Sequence, residues 1–166
     1  MNVQLRPAAD DDLPKIGDLH FRSRASAYAG ILSPAALTFG GPGAMGEWWA
    51  ERWKWERDTH RLTVAVAGDV LAGFTYLGPS LDEGVAELSA IHTDPAFVGT
   101  GVGRALMLDA LPALSRIAPR AVLWVLAGNS RARRFYERGG WTADGVTRVE
   151  TIGTEPVDQV RYSRAV

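Results

Sequence analysis

Val98-Gly99-Thr100-Gly101-Val102-Gly103-Arg104 stands between an apolar strand pattern and an apolar helix pattern. Its alternating glycines leave backbone N–H groups unobstructed where a helix begins. A helix start carries unpaired donors and a partial positive charge, so the loop suits a phosphate or pyrophosphate. Two familiar phosphate loops do not fit. A dinucleotide fingerprint needs Gly-x-Gly-x-x-Gly and an acidic residue ending the next strand. Here the glycines fall at 99, 101 and 103, and that strand ends in Leu126-Ala127-Gly128. A P-loop needs Gly-Lys-Ser/Thr at the helix start, and this chain has Gly103-Arg104-Ala105.

Working outward, the run Val85 to Thr93 predicts a strand feeding the loop, and apolar spacing predicts a helix from the loop to about Ile117. Pro112 should kink or split that helix. Ala121 to Leu126 is nearly all apolar, as expected of a central strand covered on both faces. Asn129-Ser130 predicts a helix cap, followed by Ala132, Phe135, Tyr136 and Gly139 on one stripe. Strands near Trp141 to Thr151 and Val157 to Tyr162 close the chain.

Upstream, Val3 to Arg6 reads as a first strand. Asp10-Asp11-Asp12 with Pro14 predicts a helix running to about Tyr28, and Ser33-Pro34 a short helix ended by Gly40-Gly41-Pro42-Gly43. A further helix is expected from Ala44 to Arg57. Leu62 to Ala67 and Val70 to Leu77, joined by Gly68-Asp69, read as a hairpin. The order predicts a mixed α/β (α+β) domain with several antiparallel strands, one βαβ unit and helices on both faces.

The 166 residues are 46% hydrophobic and 22% charged, with a formal net charge of -1, which fits one globular domain over 1–166. No long basic run points to nucleic acid or a membrane surface, and no apolar run is long enough to span a bilayer. The absence of cysteine removes disulfides, thiolate metal sites and a cysteine nucleophile. His20 and His60 are isolated and no metal-ligand cluster is evident, so no metal is expected. A cytoplasmic location is the default expectation.

Glu87-Leu88-Ser89-Ala90-Ile91-His92-Thr93-Asp94-Pro95, continuing through Gly99-Thr100-Gly101-Val102-Gly103-Arg104-Ala105-Leu106, resembles the acetyl-CoA motif of the GCN5-related N-acetyltransferases (GNAT). Leu123 to Trp141, with Asn129-Ser130 and Phe135-Tyr136-Glu137, is similar to that family's second motif, and Leu5-Arg6-Pro7-Ala8 fits its first strand. The resemblance implies the GNAT acyl-CoA N-acyltransferase fold, a mostly antiparallel sheet splayed at a parallel strand pair. It implies acetyl-CoA as cosubstrate, with the pyrophosphate cradled around Val98, Gly99, Thr100, Gly101, Val102, Gly103 and Arg104. Ile91, His92 and Thr93 would pair with the pantetheine arm, and Asn129, Ala132 and Phe135 would complete the donor site. The family usually has Gln or Arg where Val98 stands. A main-chain cradle does not need that side chain, so CoA binding is expected to survive.

Acetyl transfer to an amine needs a base for the ammonium, a donor for the thioester carbonyl, and a proton for the leaving thiolate. Glu87, on the strand leading to the loop, is the candidate base; a salt bridge to an arginine is its structural alternative. Asp82 and Glu83 are loop carboxylates that could serve instead. Tyr136 is the candidate acid, against the alternative that its ring only fills the core. Asn129 could donate to the pantetheine or cap the helix, and capping is the more frequent use of such a residue. A backbone N–H near Thr93 would serve the carbonyl. By strict alternation His92 should point to the face opposite Glu87.

Trp49 and Trp53 fall at i,i+4 and would bury one helix face, while Trp48 and Trp55 make a second stripe, expected to line an acceptor pocket or a homodimer contact. With no cysteine and no serine triad evident, direct transfer within a ternary complex is expected. The alternatives are a weak or idle acyl-CoA-binding domain and a transferase for another acyl group. The acceptor amine, whether small molecule or peptide, is not legible.

Overall fold

The computed structural model describes residues 2–166. Seven strands form one sheet: β1 Gln4–Pro7, β2 Arg61–Ala67, β3 Val70–Pro79, β4 Val85–Thr93, β5 Arg120–Leu126, β6 Thr142–Ile152 and β7 Glu155–Ala165. Their spatial order is β1-β2-β3-β4-β5-β7-β6. Every neighbouring pair is antiparallel except β4 and β5, which run parallel. The helices are α1 Leu13–Ala27, α2 Pro34–Thr38, α3 Gly41–Glu56, α4 Val102–Ser115 and α5 Ser130–Arg138. This is the mixed fold, with helices on both faces, that the sequence predicts.

The two faces follow from period-2 alternation. Leu62 and Val64 of β2 with Phe74 and Tyr76 of β3 meet Ile16 and Leu19 of α1 and Trp49 of α3. On the other face Leu77, Ala86, Leu88, Leu123 and Val125 meet Met107, Ala110 and Leu114 of α4 and Tyr136 of α5. α1 and α3 cross almost backbone to backbone: a Cβ on Gly17 would lie 2.3 Å from Gly46 Cα, so only glycine fits there.

Three expectations are corrected. Gly40-Gly41-Pro42-Gly43 does not merely end a helix, because α3 begins at Gly41; Pro42 sits in the first turn, where a missing N–H costs nothing. Pro112 does not split α4, which runs through it to Ser115. The bond it removes is to the carbonyl of Leu108, on a 57% exposed position where water can take over.

The third correction matters most. His92 lies on the same face as Glu87, not the opposite one. β4 pairs Ala90 with Tyr76 and Leu88 with Leu77, so Ser89 is an extra residue, a β-bulge. One inserted residue reverses the alternation, and His92 joins Glu87 on the face of α1 and α3.

Parallel pairing of β4 with β5 is confined to Val85–Glu87 against Arg120–Val122. Beyond that point the strands part. The β5-facing edge of β4 is left without a strand partner, and a cleft opens there.

Candidate active site

The cleft has a volume of about 1170 Å³ and runs from the glycine loop, across the β4/β5 splay, to the α2–α3 junction and the β6–β7 hairpin. Glu87, Tyr136 and nearly all of the expected CoA-binding residues line it. Thr100 and Val102 do not. Both Thr100 donors turn back onto the Phe97 carbonyl, N–H at 3.2 Å and Oγ at 2.5 Å, while the Val102 side chain is buried under β2 and β3. Asp82 and Glu83 also lie outside; Asp82 is paired with Arg161 at 3.3 Å.

At the donor end the turn before α4 is built by Gly99 (φ 80°) and Gly101 (φ 95°), backbone that L side chains rarely adopt. The N–H groups of Val102, Gly103 and Arg104 occupy the first turn of α4, where no preceding carbonyl is available to them. Two cations flank them. Arg104 is on α4, and the Arg131 guanidinium reaches to within 3.9 Å of where a Gly99 side chain would begin. Neither has an acidic partner among the described residues. Arg131 was not singled out from the sequence, although its place in the first turn of α5 beside the loop is a signal. Unpaired amides and unpaired arginines fit a pyrophosphate. Val98, 41% exposed, adds only an apolar edge.

In the middle of the cleft, Glu87 accepts a hydrogen bond from Ser89 Oγ at 3.1 Å, and among the described residues it has no ion pair. The salt bridge considered from sequence does not form. The Tyr136 ring is buried against Phe135 (centroids 5.6 Å apart), and burial, reinforced by nearby Tyr28, pushes its phenol above the ordinary value. It therefore keeps its proton at neutral pH. Asn129 caps α5, its side-chain oxygen accepting from Ala132 N–H at 3.3 Å, and among the described residues its NH₂ group has no acceptor.

α1 contributes residues that sequence reasoning missed. His20, Ser23, Arg24, Ala27 and Tyr28 follow i, i+3, i+4, i+7, i+8 and form one stripe along the cleft. Ser23 Oγ is 3.0 Å from His92 Nδ1, and the His20 and His92 rings lie 4.4 Å apart. Trp49 Nε1 donates to His20 Nδ1 at 2.9 Å; an indole N–H can only donate, so the proton of neutral His20 is on Nε2. Trp49 thus belongs to the core and to the cleft floor. Trp48, 48% exposed, lines the outer cleft, whereas Trp55 lies away from it, its indole bonded to Glu51 at 2.8 Å. The second tryptophan stripe therefore divides, one ring in the cleft and one outside.

Burial lowers His92 to about 3, with the Arg24 charge adding to the effect. Burial also holds His20 well below its usual value, with repulsion from His92 and Arg24. Both rings are neutral in the folded chain near pH 7. In the unfolded chain each takes a proton at about pH 6.5. Below that pH the unfolded state binds protons that the folded state refuses, so stability falls as pH falls. The expected slope approaches about 1.4 kcal/mol per pH unit for each histidine. Denaturant unfolding between about pH 6.5 and 5, above the carboxylate range, should show this loss. A His20→Gln, His92→Gln double variant should flatten it, and an equally flat wild type would contradict it.

Among the described residues no group of three or more potential metal ligands occurs, and no helix is long and apolar enough to cross a membrane.

The parallel strand pair splays beside a glycine-rich helix start and opens a cleft lined by a carboxylate, Glu87, and a buried phenol, Tyr136. The Acetyltransferase (GNAT) family pattern matches residues 31–141, and the chain belongs to that family as an N-acetyltransferase. It is 29% identical over 153 residues to "Probable N-acetyltransferase Rv2775" of Mycobacterium tuberculosis, covering 88% of this chain and 83% of that protein. It is 37% identical over 85 residues to mycothiol acetyltransferase of Kineococcus radiotolerans, covering 51% of this chain but 27% of that protein. Among solved structures, the PaiA N-acetyltransferase of Thermoplasma acidophilum in complex with coenzyme A superposes over 100% of both chains, with TM-score 0.79 and 19% identity. The yncA structure from Salmonella typhimurium with acetyl-CoA gives TM-score 0.72 and 16% identity over 98% of this chain and 93% of that one. At such identities these likenesses show the fold.

Proposed function

We propose that this chain transfers the acetyl group of acetyl-CoA directly to a primary amine, with Glu87 as base and Tyr136 as acid. The observation that carries the reading is one continuous cleft joining the anion-binding helix start to Glu87 through the strand fork, with Tyr136 in its wall. The loop amides, Arg104 and Arg131 hold the pyrophosphate. The free edge of β4 beyond Glu87 offers backbone groups to the pantetheine, as an added strand would use them.

The chemistry balances with one proton released. The ammonium form of the acceptor gives a proton to Glu87, directly or through water. The free amine nitrogen then bonds to the thioester carbon, and a β4 N–H stabilises the carbonyl oxygen. The C–S bond breaks, and the thiolate takes the Tyr136 proton. The second proton of the newly bonded nitrogen returns to Tyr136 through water, and Glu87 releases its proton to solvent. Tyr136 is suited to this step because it stays protonated at neutral pH yet is far more acidic than an aliphatic hydroxyl.

The Ser23–His92 contact makes the absence of a covalent intermediate a real test. Ser23 is buried, and among the described residues His92 has no carboxylate to orient it. Incubation with acetyl-CoA alone, read by intact-protein mass, should show no acetyl adduct, and initial rates against both substrates should give intersecting reciprocal plots. A stoichiometric acetyl-Ser23 with parallel plots would overturn direct transfer.

A further inference from the structure

One cation of the inner cleft has no counter-charge from the protein among the described residues. Arg104 and Arg131 flank the glycine loop, and Arg138 is in the last turn of α5. Arg52 is paired with Glu56 at 2.5 Å and lies over the Tyr76 ring. Arg148 is held by Gln159 at 2.7 Å and Glu150 at 3.4 Å. Arg24 has no carboxylate and no hydrogen-bond acceptor among the described residues, and its Nε is fully enclosed by protein. The groups around it, His20, His92 and Tyr28, are neutral or protonated near pH 7. A desolvated guanidinium without a counter-charge is a costly arrangement, and a planar, bidentate anion relieves it best.

We infer that the acceptor is an α-amino acid whose carboxylate pairs with Arg24 while its amine faces Glu87. This rests on the transferase reading above and adds the substrate class. Position decides for the α-carboxylate over a distant one. Arg24 stands between His92, next to Thr93 at the end of β4, and Tyr28, which neighbours Tyr136. Arg24 and Tyr136 share Tyr28 as a neighbour within one cleft, so an acceptor anion on Arg24 lies on the side of the proposed acid, which favours an anion adjoining the amine. The outer cleft beyond is walled by Phe39, Met45, Trp48 and Trp124, which suits an apolar or aromatic side chain.

The test compares α-amino acids with the primary amines left when their carboxyl group is removed, such as phenylalanine against 2-phenylethylamine. Thiol release from acetyl-CoA reads turnover, and thermal shift in the presence of CoA reads binding without turnover. The wild type is expected to favour the amino acid in both. Arg24→Gln should raise KM for the amino acid about 10- to 100-fold, leave KM for acetyl-CoA unchanged, and leave the decarboxylated amine no worse a substrate. Because an unpaired, half-buried cation has been removed, its melting temperature without ligand should not fall below that of the wild type. Equal or better use of the decarboxylated amine by wild type would overturn the inference and leave the transferase standing. So would a higher KM for acetyl-CoA in Arg24→Gln, or the absence of any thermal shift with amino acids. Amino-acid-specific shifts with no thiol release would support the inference and count against the transferase.

Discussion

Glu87→Gln is expected to lower kcat/KM for the acceptor about 100- to 10,000-fold near neutral pH, the usual contribution of a positioned base. The amide has the shape of the carboxylate and can still accept from Ser89 Oγ, which bonds Glu87 at 3.1 Å, so β4 and its bulge should survive. What is lost is the capacity to take a proton from an ammonium. The defect should shrink as the pH rises toward about 10, where a simple primary amine deprotonates unaided. Acetyl-CoA affinity should not change, since the glycine loop and the arginines beside it are untouched. Asp82→Asn, at a carboxylate paired with Arg161 outside the cleft, serves as control and should keep wild-type activity. Initial rates across pH for the two variants decide the matter, and wild-type rates for Glu87→Gln at every pH would reject Glu87 as base.

Gly101→Val should have the next largest effect, on donor binding. Gly101 caps α4 at φ 95°, where a β-branched residue is strained by about 1–3 kcal/mol. Relief of that strain rotates the peptide that aims the first-turn amides of α4 at the pyrophosphate. Acetyl-CoA should bind about 100-fold more weakly, as expected when two charge-assisted hydrogen bonds are lost. Gly145→Val separates strain from site. Gly145 has φ 86° in the β6–β7 irregularity, away from the cleft, so the variant should lose similar stability and keep its acetyl-CoA affinity. Calorimetric titration of both with CoA gives the comparison, and equal affinities would show that the loop is not the pyrophosphate cradle.

The glycine-loop end of the cleft was readable in the sequence because its geometry is local. Glycines at 99, 101 and 103, the strand before them and Asn129 at the next helix start all act through backbone within a few residues. The middle was half readable. Glu87 and Tyr136 stand on segments with a clear period, but Ser89 looks like any strand residue, and nothing in the sequence marks it as a bulge. That one residue put His92 on the wrong face. The acceptor half was largely hidden because it is assembled from α1, α3, β5 and the β6–β7 hairpin. His20, Ser23, Arg24 and Tyr28 do carry a trace: the inner stripe of α1 turns from Leu13, Ile16 and Leu19 to polar residues at core spacing. A buried stripe that becomes polar marks a helix leaving the core for a cavity. Asn129 shows the reverse lesson, since the capping role suggested by its position is the one its side chain adopts. Thr100 likewise looked like part of the cradle and instead ties the turn to Phe97.

The central claim is acetyl transfer from acetyl-CoA to an amine in this cleft. Its most direct test is free-thiol release by the wild-type protein with acetyl-CoA and a panel of amines and amino acids, with products identified by mass. The account predicts thiol release that depends on an acceptor and matches the acetylated amine mole for mole. Tight acetyl-CoA binding with no acceptor-dependent thiol release and no N-acetyl product would contradict it and leave a protein that binds acyl-CoA without transferring the acyl group.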